Sequence, residues 1–285
     1  MTYFRTVTAT FVEDHKAGKA TTVSTRELLC WVVAFFATAT ICIILRKALD
    51  GTPLARLAFN AVDIIAWGSA LILILRHGTA RVATTCQIYA VLATFACAMF
   101  LPGRFVMLAL LPIGLMLTIA SGWSQGQRRA GAVFVAIGLQ PLIGRVIPVL
   151  FGDIILKLDT AAAGIVMQFF LPGSSWYQDL LKPPQGVGVT VMMGCSSFAN
   201  LSYVMLCFTS LYLLDGGRPS WRGAAALLGV SLVVFAANTA RLIGIATSLE
   251  SYQYWHDGSG AQIFAIVVTA LTIGLCSILS RWASA

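Results

Sequence analysis

LLCWVVAFFATATICIIL, residues 28–45, contains no charged side chain. About 20 predominantly apolar residues in a helix are enough to cross the hydrocarbon core of a bilayer. Read as a spanning helix, this stretch makes the chain an integral membrane protein. The composition agrees: of 285 residues, 58% are hydrophobic and only 11% charged. Soluble domains carry about 25% charged residues, and their surfaces must be largely polar or mixed. A bilayer removes that demand.

Outward from this run, similar segments lie at approximately 57–75, 82–101, 105–121, 130–150, 196–214, 223–244 and 262–280. The pattern predicts an all-α integral membrane protein of about eight transmembrane helices. The third and fourth segments meet at Pro102-Gly103-Arg104, which predicts a hairpin. Residues 1–27 read as a polar cytoplasmic tail, without the short apolar core and small-residue cleavage site of a signal peptide. Residues 28–150 form a five-helix membrane region, and 151–285 a second region ending in three helices. Between them, 152–194 is too polar and too interrupted by Gly and Pro for a simple span. It contains an apolar run at 161–171, too short to cross a membrane, and a β-like stretch at Gly186–Met193. The expectation is a partly extended or re-entrant outer loop before Cys195.

The net charge of +8 reflects basic residues placed mostly between apolar runs, which points to membrane orientation and not to nucleic acid. With the N-terminus inside, eleven of the 19 Lys and Arg fall on the inner side and eight on the outer. The bias is cleaner at the C-terminal end. Asp215–Arg222 carries two arginines, and Thr247–Ala261 carries none. Both termini are expected inside. The seven cysteines are scattered without a CxxC pair, which argues against a zinc site. No metal or cofactor is expected.

Three segments carry chemistry. Cys195 lies where the extended loop enters the sixth span, Arg241 near the far end of the seventh, and His256 in the short loop before the eighth. One crossing per segment brings all three to the same membrane face. A thiol at a helix N-terminus meets the positive end of the dipole and unpaired N–H groups, which favour thiolate and are suited to stabilising an oxyanion. An imidazole can pair with the thiolate and protonate a leaving amine. Each residue also has an ordinary reading: a small packing thiol, an arginine snorkelling to the headgroups, a polar loop histidine.

The ordered blocks Cys195-Ser196-Ser197, Asn238-Thr239-Ala240-Arg241 and His256-Asp257-Gly258-Ser259-Gly260 resemble those of the exosortase/archaeosortase family of membrane enzymes. The likeness covers residues 145–280 in motif terms and the earlier helices only in general character. Ser197 stands where the family usually has glycine. The resemblance implies a cysteine transpeptidase or endopeptidase in a cell membrane, a bacterial inner membrane with the site facing the periplasm or exterior. Its substrates would be exported proteins bearing a C-terminal sorting motif, a transmembrane helix and a basic tail. Cys195 would form the thioester, His256 would act as acid/base, Arg241 would stabilise the thiolate or oxyanion, and Asn238 and Ser196 would orient the site or touch substrate. The competing readings are a transporter or channel, favoured by Asp63 and Arg145 in or beside apolar segments, and a nonenzymatic scaffold for envelope polysaccharide assembly.

Overall fold

The computed structural model describes residues 23–51, 60–77, 81–120 and 122–285. The proposed N-terminal tail, apart from its last few residues, and the start of the second predicted span therefore lie outside the described residues. Helix α1 is Thr25–Leu49, α2 Asn60–His77 and α3 Thr85–Phe100. A 3-10 turn, Gly103–Ala109, leads into α4, Leu110–Ile119. Helix α5, Gln125–Pro141, passes through a π-helical turn at Leu142–Val146 into α6, Ile147–Phe170. Then come strands β1 Ser175–Tyr177, β2 Leu180–Lys182 and β3 Val189–Thr190. Helices α7 Ser197–Leu214, α8 Trp221–Thr247, a short α9 Leu249–Tyr252 and α10 Ser259–Ser284 complete the chain.

Six helical stretches among the described residues are long and apolar enough to cross a membrane, counting Gln125–Phe170 as one. Thr85–Phe100 and Gly103–Ile119 are apolar but shorter. The molecule is an all-α multi-pass membrane protein. Many of its large apolar side chains, such as Trp31, Phe100, Val149 and Phe169, point outward. A bilayer covers such a surface without penalty.

Polar contacts sort the helix ends into two groups. At one end Thr25 donates its N–H to the Arg81 carbonyl, Ser124 Oγ–H to the His77 carbonyl, Arg129 to the Gly216 carbonyl, and Ser280 Oγ–H to Asp215. Three helices also start there with reciprocal capping boxes, Ser24 with Glu27, Thr84 with Gln87 and Ser124 with Gln127. At the opposite end Arg104 reaches Tyr203, Gln140 donates to Ser202, and Arg241 reaches Trp255. Thr25 and the last turn of α10 share the first end.

The expected loop over 152–194 is corrected in its first half, because residues 152–170 are helical. Ile155, Asp159, Thr160, Ala163, Gly164 and Met167 are buried while Asp153, Lys157 and Leu158 are exposed. The buried set recurs with helical spacing, so the polar residues that suggested a loop are divided between the faces of one helix. The α5–α6 helix is not straight. Pro141 lies at its π turn, and Phe151 has φ −120° and ψ 22°. Proline and π turns are ordinary causes of such bends.

The extended character expected near 186–193 is present. The strands form an antiparallel sheet in the order β1-β2-β3, with Trp176 opposite Leu181 and Leu181 opposite Val189. Leu181, Val189 and Val191 pack with Ala163 and Met167 of α6, with Leu242, Ile245 and Ala246 of α8, and with Cys195. Burying a Leu or Val side chain is worth about 1.5–3 kcal/mol relative to water. Gly164 permits the close fit, since a Cβ there would fall 2.4 Å from the Trp176 ring. The sheet is thereby pinned to α6 beside the cysteine.

Candidate functional site

Cys195 ends a 3-10 turn, Met193–Cys195, and Ser196 caps α7. The thiol residue is only 7% exposed. Two helices hold this turn. From α8, Asn238 Nδ2 donates to the Cys195 carbonyl at 2.8 Å and to Ser197 Oγ at 3.0 Å. From α6, the Asp159 Oδ2 accepts from Ser196 Oγ–H at 2.5 Å and from the Ser197 N–H at 3.0 Å.

One helical turn beyond Asn238, Arg241 donates from Nε at 3.2 Å and Nη2 at 3.1 Å to the Trp255 carbonyl. Its guanidinium also lies 4.9 Å from the centroid of the Phe264 ring, a cation–π arrangement. Arg241 and Cys195 are within electrostatic range of one another. Only two of the five guanidinium N–H bonds are engaged on Trp255, so the others remain for a further acceptor. His256 follows Trp255 directly and stacks on Tyr252, with ring centroids 4.8 Å apart and planes 11° from parallel. The expected loop around His256 is a helical one, α9 followed by a π turn at Gln253–Asp257.

The structure thus brings Cys195, Ser196, Asn238 and Arg241 together and ties the His256 turn to Arg241. Ser196 and Asn238 are turned inward, 5% and 1% exposed, and hold the protein's own backbone. An orienting role fits them better than contact with substrate.

The expected oxyanion donors at the start of α7 require correction. The Cys195 N–H donates to the Met192 carbonyl and the Ser196 N–H to the Met193 carbonyl. The Ser197 N–H is taken by Asp159 and the Phe198 N–H by Ser196 Oγ. Four successive amides are therefore already engaged. The Arg241 guanidinium is the better donor for developing negative charge. The dipole argument is also weakened, because a buried carboxylate now sits at this helix N-terminus.

Asp159 was absent from the sequence-derived site. Its signal was present in the spacing of Ile155, Asp159, Ala163 and Met167, but only after residues 152–170 are read as a helix.

A second polar group lies among the helices at the same end. Arg104 donates to Asn60 Oδ1, bonds Tyr203 Oη at 2.5 Å, and pairs with Asp63 at 3.3 Å. Their side chains are only 11% (Arg104) and 13% (Asp63) exposed. Asp63 thus has a partner within the bundle, Arg104 of the 3-10 turn.

Compared with known proteins, the chain matches no family model, no curated protein and no solved structure.

Proposed function

We propose that this protein is a membrane-embedded cysteine transpeptidase or endopeptidase of the exosortase kind. It cleaves the C-terminal sorting region of exported proteins through a thioester on Cys195 and passes the new C-terminus to an acceptor. The observation that carries this reading is the double grip of α8. Asn238 holds the Cys195 carbonyl, and Arg241, one turn on, holds the Trp255 carbonyl beside His256. Three segments with the residue types of a cysteine acyl-transfer site are joined by side chains of one helix.

In this mechanism Cys195 gives its thiol proton to His256, its sulfur attacks the scissile carbonyl, and the carbonyl electron pair moves onto oxygen. Arg241 donates hydrogen bonds to that oxygen. The oxyanion collapses, the C–N bond breaks, and His256 protonates the departing amine. An amine or water then attacks the thioester with His256 as base, which returns the thiol. The sheet beside Cys195 and the turn after α8 form a natural floor for an extended peptide at the membrane surface. By this reading the site faces the periplasm or exterior of a bacterial inner membrane.

The test is co-expression with an exported protein carrying a C-terminal apolar helix and basic tail encoded in the same genome. The expected result is loss of that tail, dependent on Cys195. An intact tail with wild-type enzyme would overturn the proposal. A transporter remains the second reading because of the buried Asp63–Arg104 pair. It predicts solute uptake that survives Cys195→Ala.

A further inference from the structure

Asp159 is 4% exposed on the inward face of α6, and both of its hydrogen bonds go to residues next to Cys195. Two donors converge on one oxygen, Oδ2, and charge-assisted bonds of this kind are the strong ones. Taking a carboxylate out of water is costly, and among the described residues Asp159 forms no ion pair. A helix needs only a hydroxyl or amide to cap its first turn, and Ser196 already supplies one. The burial of a carboxyl group here calls for a reason beyond capping.

We propose that Asp159 is a positioning residue for Cys195 that also restrains its reactivity. The carboxylate locks the Ser196–Ser197 turn against α6 while its charge opposes the thiolate that Arg241 favours. This rests on the reading of Cys195 as nucleophile. The turn is then a clamp with one jaw on each helix, Asp159 from α6 and Asn238 from α8. Asp159 grips the two residues that follow the thiol and Arg241 lies within electrostatic range of it, so a small displacement of either helix changes its ionisation. The other groups packed on the turn do not add charge. Val189 and Val191 come from the sheet side, and Gly152 of α6 faces the Met193 side chain. His256, beyond Trp255, and Tyr252, on which it stacks, are further titratable side chains at the site.

The test uses the full chain in membranes and measures alkylation of Cys195 against pH, by mass spectrometry of the Cys195 peptide. Asp159→Asn removes the charge and preserves the shape. The apparent thiol pKa should fall by on the order of one unit, as expected when a nearby like charge is lost. Substrate processing should fall at least tenfold as the turn loosens. Asp159→Glu keeps the charge but displaces it by a methylene, so the alkylation profile should stay near wild type while processing falls. Should Asp159→Asn fail to accumulate, Ser196→Ala removes the hydroxyl donor and leaves the carboxylate less neutralised, so the thiol pKa should rise. A profile superimposable on wild type in Asp159→Asn, or in Ser196→Ala where that is the variant obtained, overturns the proposal and leaves Asp159 a plain cap. The alkylation readout needs no substrate. A shifted profile in a protein that processes nothing leaves this inference standing and removes the transpeptidase.

Discussion

Asn238 Nδ2 stands 2.8 Å from the carbonyl oxygen of Cys195, a side chain in the second half of one span fastening the backbone at the start of another. The same amide nitrogen reaches Ser197 Oγ, so both of its hydrogens are used. Asn238→Ala removes the side-chain donor to the buried Cys195 carbonyl and to Ser197 Oγ. The expected cost is about 1–3 kcal/mol, the usual penalty when buried polar groups lose a hydrogen-bond partner. Thermal unfolding in detergent measures it. Asn238→Asp should be worse, because it adds a charge where only donors are wanted.

Cys195→Ala should abolish processing and leave the protein inserted and abundant. Cys207→Ala serves as the control. Cys207 is fully buried in the main helix core with Cys276, a different apolar cluster from the one around Cys195. Its loss should lower stability slightly and spare processing. Equal loss of processing at both positions would mark both cysteines as structural.

Arg241→Lys keeps the charge and loses the planar fork that grips the Trp255 carbonyl through two nitrogens. Processing should fall heavily, and the apparent pKa of Cys195 should rise. His256→Ala should cost a factor of about 10²–10⁴, the range for general acid–base catalysis. Alkylation rates against pH, compared across both variants, separate the two roles. No movement of the thiol pKa in either variant would exclude both residues from the immediate surroundings of Cys195.

Reporter fusions at Gly217 and Gly258 should reveal opposite sides of the membrane. The two positions flank α8, whose 27 residues are enough to cross a bilayer once. The charge asymmetry of the adjoining loops predicts that Gly217 is cytoplasmic. The same side for both would dismantle the shared face of Cys195, Arg241 and His256.

The shared face was legible because it depends on parity. Cys195 precedes α7, Arg241 lies in the last two turns of α8, and His256 precedes α10, so helix direction alone sets their side. Asp159 was not legible while its helix was read as a loop. Hydropathy averages over Asp153, Lys157 and Asp159 and cannot register that only Asp159 faces inward. The engagement of the Ser197 amide was hidden for a related reason. It depends on a carboxylate 38 positions upstream of Ser197, and nothing local to Cys195-Ser196-Ser197 announces it. Arg104 likewise read as part of a hairpin turn, because its partner Tyr203 lies 99 positions away.

Both grips of α8 end on main-chain oxygens. Asn238 holds the carbonyl of residue 195, and Arg241 holds the carbonyl of residue 255. A carbonyl is the same whatever side chain stands above it. A mutational scan will therefore find only one partner of the second pair: position 241 intolerant, position 255 permissive as far as this bond is concerned. Trp255 is free to drift over generations without loosening the connection, and covariation between 241 and 255 will carry no trace of the bond.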